Sequence, residues 1–574
     1  MSSGRWARRI GILVCTLLLL VAVPASLEAA VFTVGSDGAC SYSTITAALF
    51  ASLAAGNDEI RIARNQTYSN VSLHLTDWSS ATVGSLTLAG GYDNCADATP
   101  SGLTTLTGSL SAPVVKVDTS SQADSLVTLR DLMLNGSGAL GVWADGGAQV
   151  TLTHVTVQSN GGGGIGAFNG ATILADTGSS IGPNSGSGVA CLSGSHVELA
   201  ATVDNNIATN GAGILAGTGC SLTVHAGGAI TNNDASFGGG IHASGGATVI
   251  VDGSDQATQF ATQVSGNTAT DQGGGIYASG AGTTVTIRNA RVRVNQAGLE
   301  GGAIWADQGA RVIVDRVSGR CYDPERCSDL SLNQVTQANL GVDGAVAWVE
   351  SDADLEIYQT LVEGNSIDVS AEWGSLFYAF GVGSTIKAEG LSFWNNQGPD
   401  ALFSGSSNAE IHVGFVSASG NFFASGTLPA RPVFLSTNAT ATLNSSIFYP
   451  NSAAQAILGA SLPEVDCLIL SNTTGLPPSA TFVSTVDPAF VDAANGNLAL
   501  RSTSPAIDYC DTFLYSPLQS DLDLEARGYD AASNSNGTPG PNGGTYDLGA
   551  DELYLFWADG YEAGNTLAWS ARLP

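Results

Sequence analysis

Seven arginines crowd into one stretch of a chain that is otherwise poor in positive charge: Arg288, Arg291, Arg293, Arg311, Arg316, Arg320 and Arg326, out of 19 Lys and Arg in all. A guanidinium fork matches a carboxylate two bonds at a time. On a surface with a formal net charge of −31, such a cluster would suit an anionic sugar. The candidate set is Arg288, Arg291, Arg293, Arg316 and Arg320, with Trp305 among them as an aromatic surface. A plainer reading competes with it. Counting from the strand starts puts Arg288 level with Asp252 and Asp315 in neighbouring repeats, and opposite charges facing each other across strands support one another. The pairing reading is the preferred one.

The acidic candidates divide in the same way. Asp521, Asp523 and Glu525, with Asp530, Asn534 or Asn536 nearby, offer the hard oxygen donors that calcium takes. The same side chains cap turns and would pair with Arg527, and that reading is preferred. A calcium ion there would be a structural clip, and no other cofactor is expected. Acid–base work on a glycan needs two or three carboxylates that converge. Asp176, Asp252 and Asp315 instead recur at one place in a repeat, as a solvated edge does, so no residue is assigned a catalytic role. Trp143, Trp305, Trp348, Trp373 and Trp394 would serve either as sugar platforms or as packing at corners.

These side chains hang on a repeat. Gly238-Gly239-Gly240-Ile241, Gly273-Gly274-Gly275-Ile276 and Gly301-Gly302-Ala303-Ile304 share one register, and each precedes a short alternating run such as Thr248-Val249-Ile250-Val251. Looser copies run through Val142, Ile165, Val189, Ile214, Val346, Leu376 and Leu402. Runs of four to six Val, Ile, Thr and Leu between glycines are strands, because helices would need long stretches at period 3.6. A unit of two or three short strands cannot bury its own apolar face and must stack on its neighbours. The expected fold is all-β: a single-stranded right-handed parallel β-helix with a short N-terminal cap helix and an irregular C-terminal cap. Asn205, Asn232, Asn267 and Asn295 each stand nine positions before the isoleucine of their unit, which predicts a ladder of stacked asparagines.

Residues 1–30 have the order of a secretory signal: Arg5, Arg8 and Arg9, an apolar run from Ile10 to Val23, then small residues to Ala30. The solenoid with its cap is expected over 31–485, a C-terminal region over 486–554 and a tail over 555–574. The cap helix follows Ser43, with Ile45, Leu49 and Leu53 on one side and Gly56 at its end, and leads to Glu59-Ile60-Arg61-Ile62 as first strand. Eight cysteines follow the signal segment, an even number in an exported chain, so disulfides are expected. About 105 pairings exist for eight cysteines. Proximity favours Cys40 with Cys95, Cys191 with Cys220, Cys321 with Cys327 and Cys467 with Cys510. The strongly acidic balance excludes nucleic acid as a partner. The glycine phrases lack the lysine and the strand-to-helix setting of a phosphate cradle. No stretch after the signal is long and apolar enough to span a bilayer as a helix.

Three resemblances add to this reading. Val34-Gly35-Ser36-Asp37-Gly38, Cys40, the short helix and a strand ending near Gln66-Thr67-Tyr68 resemble the opening of pectin-lyase-like β-helix proteins. The glycine phrases with their asparagines are similar to the repeats of the polymorphic outer-membrane protein family, although the phenylalanine of that repeat is mostly absent. Asp487-Pro488-Ala489-Phe490, Asn497-Leu498-Ala499-Leu500, Ser504-Pro505-Ala506-Ile507-Asp508, Asp521-Leu522-Asp523, Arg527 and Asp547-Leu548-Gly549-Ala550-Asp551-Glu552 follow the order of the choice-of-anchor Q domain. Together they imply a bacterial exported or surface rod, non-enzymatic and adhesin-like, contacting carbohydrate or another cell-surface component. The alternative is a polysaccharide lyase or glycoside hydrolase acting on an acidic glycan near Arg288 to Arg326, because lyases of this fold class commonly use Arg or Lys beside carboxylates. An autotransporter passenger is disfavoured, since no series of amphipathic membrane strands follows the repeats.

Overall fold

A computed structural model describes residues 30–551 apart from 53–57, 76–84, 120–125, 255–261, 318–327, 337–343, 368–373, 398–400, 422–430, 437, 451–456, 460–462, 511–519 and 523–545. The signal-like segment and the tail therefore lie outside the described residues. The repeats stack into a right-handed parallel β-helix. Each coil gives one strand to a single-strand face, for example Ile241–Ser244, Ile276–Ser279, Ile304–Asp307, Ala347–Glu350 and Ser375–Phe380. It then gives two in succession to a double face, for example Thr284–Arg288 and Arg291–Arg293. In the middle of the molecule a short face of Asp234–Phe237, Thr268–Gln272, Gln296–Ala297, Gln334–Val335 and Ser366–Ile367 closes the coil.

Stacking puts like residues in columns. Val142, Ile165, Val189, Ile214, Ile241, Ile276 and Ile304 follow one another in register, all almost fully buried. Burial of each such side chain contributes about 1.5–3 kcal/mol. Beyond Ile304 the register differs from the expected one: Ala347, then Phe377 and Phe403, continue the column. Val346, Leu376 and Leu402 stand one residue earlier and are equally buried, so apolar character alone does not distinguish the pair.

The glycine phrase is a corner. Gly238, Gly273, Gly301 and Gly344 have φ of +64°, +67°, +63° and +79°. A Cβ on Gly273 would stand 2.5 Å from the Ile276 carbonyl oxygen, and one on Gly274 would stand 2.4 Å from that of Gln296 in the next coil. Only glycine fits either place.

The turn that leaves the double face holds an asparagine ladder, close to the glycine phrase, and its membership corrects the nine-residue count. The buried rungs are Asn160, Asn184, Asn206, Asn233, Asn267, Asn295, Asn333, Asn365, Asn396 and Asn421. Each of these except the last offers its Nδ2 to the Oδ1 of the next, and all of those but Asn184 add the backbone N–H, as Asn267 does to Asn295 at 3.1 and 3.0 Å. Asn205 and Asn232 stand one position before the ladder, with φ of +55° and +54°. Asn232 instead donates to Asp204 at 2.9 Å. The count failed because Thr268–Gln272 carries one residue more than Asp234–Phe237, absorbed as a register shift after Ala269.

At the start, Thr44 Oγ1 accepts from the Ala47 N–H and caps the helix Ile45–Ser52, which buries Ile45 and Ala48. Leu53 and Gly56 lie outside the described residues. The strand Asp58–Ala63 is not the first, because Val31–Val34 pairs with it in parallel. At the far end the parallel stack closes with Thr481–Ser484, and an antiparallel pair, Phe490–Asp492 with Asn497–Leu500, packs a second small core with Tyr509 and Leu548. Disulfides join Cys40 to Cys95, Cys191 to Cys220 and Cys467 to Cys510. Cys321 and Cys327 lie outside the described residues. Among the described residues no helix is long and apolar enough to cross a membrane.

Candidate functional site

Among the described residues the basic stretch does not gather at one point. Arg288 is in register with Asp252 and Asp315, and its guanidinium stands 3.5 Å from the Asp252 carboxylate. Arg311 donates to Glu356 through Nε at 2.8 Å. Arg291 and Arg293 belong to the next strand of the double face, with Arg291 in register with buried Asp329. Arg316 donates to the Leu522 carbonyl oxygen. Beside it Gln359 Nε2 reaches the Ser520 hydroxyl at 2.6 Å and the Asp521 carbonyl at 2.9 Å. The C-terminal segment 520–522 is thus seated on the double face next to these arginines. Asp521 is fully buried there, while Arg320, Arg326, Asp523 and Glu525 lie outside the described residues. The one close group of potential metal ligands among the described residues is Asp37 with Cys40 and Cys95. Those sulfurs form a disulfide, and Asp37 accepts from Cys95 N–H and Asn65 Nδ2.

Trp305 is on another face, in a column that sequence reasoning missed. The residue following the inward one points outward on the single-strand face. In five successive coils that residue is His242, Tyr277, Trp305, Trp348 and Tyr378, in register. His242 stacks on Tyr277 at 4.7 Å, Tyr277 on Trp305 at 4.4 Å, and Trp348 tilts onto Tyr378 at 4.5 Å. Phe237, from the end of the short face, meets Tyr277 edge-on at 5.6 Å. The rings spend their faces on one another, so the column presents ring edges, with the Trp348 N–H held by Glu350 and Trp305 buried. Trp143 and Phe168 make a smaller pair on the same face, with Lys116 over Trp143. Trp394 lies on the double face and Trp373 outside the described residues.

Carboxylates flank the rings. Glu300 ends the approach to the glycine corner and accepts from Gln272 Nε2 at 2.7 Å. Asp307 lies two residues beyond Trp305, and Glu350 accepts from Trp348 Nε1 at 3.1 Å. Burial pushes the Glu300 carboxyl up, against the Gln272 hydrogen bond, and the charge of Glu350 adds to the rise. Burial raises Asp307 as well. Tyr277 is pushed up to about 12, first by burial and then by Asp307 and Glu350, so both charges act on one ring. Burial holds His242 down to about 4. Trp305, 3% exposed, and Asp307, 4% exposed, form the floor, and Trp305 Nε1 and Asp307 Oδ1 make no hydrogen bond to a described residue.

The chain also lengthens beside this strip. The connection from the short face to the single-strand face is 273–275 in one coil, then 298–303, 336–346 and 368–374 in the next three. A second insertion, 316–328, interrupts the double face.

Among known proteins, the family model of the right handed beta helix region matches residues 114–256. No curated protein matches the chain.

Proposed function

We propose that this is an exported, non-enzymatic β-helix rod of the bacterial surface or its surroundings, which contacts carbohydrate along its aromatic strip. The single observation that carries the reading is the register of His242, Tyr277, Trp305, Trp348 and Tyr378 beside Glu300, Asp307 and Glu350. Ring edges pack against sugar rings, carboxylates accept from sugar hydroxyls, and coils about 4.8 Å apart repeat the contact along the axis. The signal-like opening, the disulfides and the acidic charge support export. The ordered C-terminal motifs that resemble a choice-of-anchor Q domain support surface display. A glycan array probed with the chain lacking residues 1–30 tests the reading: Tyr277→Ala and Trp348→Ala should abolish binding while leaving the β-sheet circular dichroism intact. Binding that survives both substitutions would refute the strip as the site.

A second reading is favoured by one feature. Burial, with the charge of Glu350 added, raises the Glu300 carboxyl, the direction a general acid needs. Glycoside hydrolysis would show as new reducing ends released by the wild-type chain and lost in Glu300→Gln.

A further inference from the structure

The strip has a charge pattern that selects among glycans. From Asp234 to Phe380, the described strands of the short and single-strand faces, with the described residues that connect them, carry Asp234, Asp271, Glu300, Asp307 and Glu350 and no lysine or arginine. The described arginines of the same coils sit on or beside the double face, where Arg288 and Arg311 are engaged by Asp252 and Glu356. Linear proximity had placed Trp305 among them, and the coil separates them.

We infer, building on the carbohydrate reading above, that the ligand of this strip is a linear glycan without carboxylate or sulfate groups, lying along the solenoid axis. Three observations carry this. The two carboxylates that act on Tyr277 come from successive coils, Asp307 and Glu350, so an anionic sugar laid along the column meets like charge coil after coil. Like charges brought together across an interface suppress the wrong partner. Trp305 Nε1, nine-tenths buried and without a partner among the described residues, is a donor that suits a neutral hydroxyl oxygen. Asp307 Oδ1 beside it suits a hydroxyl or ammonium hydrogen. An uncharged sugar supplies both complements, and an amino sugar supplies them with added attraction. A uronate supplies only acceptors where acceptors already stand.

The test uses the chain without residues 1–30 in isothermal titration against three hexamers: β-1,4-linked glucose, fully deacetylated glucosamine and galacturonate. Glucose or glucosamine hexamer should bind about tenfold or more tighter than galacturonate at low salt. An affinity for glucosamine that falls with added salt, set against a flat response for glucose, identifies the amine as the source. Equal, salt-independent affinities identify the neutral ring. Galacturonate binding as tightly as either overturns the inference and leaves the carbohydrate reading standing. Silence from all three overturns both. Glu350→Gln should narrow the galacturonate gap by about threefold. The salt series on the unmodified chain keeps the inference falsifiable if that variant fails to fold.

Discussion

Replacing Asn295 by alanine would remove one rung of a ladder in which every group is committed. Its N–H and Nδ2 both go to Asn333 Oδ1 at 3.1 Å, and Nδ2 also goes to the Val264 carbonyl at 3.0 Å. Its Oδ1 receives the backbone N–H and the Nδ2 of Asn267. Alanine keeps only the first of these bonds. It leaves the Val264 carbonyl and both Asn267 donors without that partner in a site that excludes water. Each orphaned buried group costs about 1–3 kcal/mol, and partial relaxation brings three of them to about 3–5 kcal/mol. Asn295→Asp should be at least as damaging near neutral pH, because it puts an acceptor against the Val264 carbonyl. Asn232→Ala, one position outside the ladder, breaks the exposed bond to Asp204 and puts alanine at φ +54°, and should cost about 1–2 kcal/mol, less than the rung itself. Because a solenoid opens coil by coil, the assay is native-state hydrogen exchange read at the amides of Asn267 and Asn295, backed by urea unfolding. Equal loss of protection in the Asn295 and Asn232 variants would refute the assignment of the ladder and the account of the extra residue in Thr268–Gln272.

Val294 occupies a left-handed turn position at φ +57° and is 45% exposed, a conformation costing a branched residue about 1–2 kcal/mol. Asn205 and Asn232 hold the same φ in their own turns, so Val294→Asn should raise the melting temperature, and a fall would contradict the strain argument. Cys467→Ser with Cys510→Ser opens a disulfide spanning 43 residues and should lower stability by about 4 kcal/mol on the chain-entropy estimate, read as earlier proteolysis after the last coils. His242, held down to about 4 by burial, takes a proton in the unfolded chain first. Its contribution is complete above the unfolded value near 6.5 and is lost as pH falls toward 4, a difference of about 3 kcal/mol. Glu300 and Asp307, raised by burial, work with the opposite sign, losing stability as pH rises above their unfolded values. The difference between wild type and His242→Gln across that window isolates the histidine, and parallel curves for the two would sink it.

The fold was legible because glycine corners and alternating Val, Ile and Thr runs are local signals that repeat. The ladder was legible only to within one residue, since counting back from Ile241 and Ile276 assumes equal coils and the coil of Thr268–Gln272 has one more. The strip left a trace as well: His242, Tyr277 and Trp305 each follow the isoleucine of a glycine phrase. The arginines look like a cluster in one dimension, yet Arg288 and Arg291 end one strand and begin the next. Nothing local announces that Ser520 and Leu522 return to Gln359 and Arg316, because that contact joins residues far apart in the chain.

The lengthening connectors 298–303, 336–346 and 368–374 have a consequence for how such a molecule changes. Each begins after a ladder asparagine and ends at a glycine corner or an inward apolar residue, so both of its ends are clamped to the rungs above and below. Residues can be added between those clamps at little entropic expense, while the core columns keep their places. One connector at a time can therefore change in length or sequence without refolding the scaffold, and 336–346 is the natural entry point for grafting a foreign segment onto this stack.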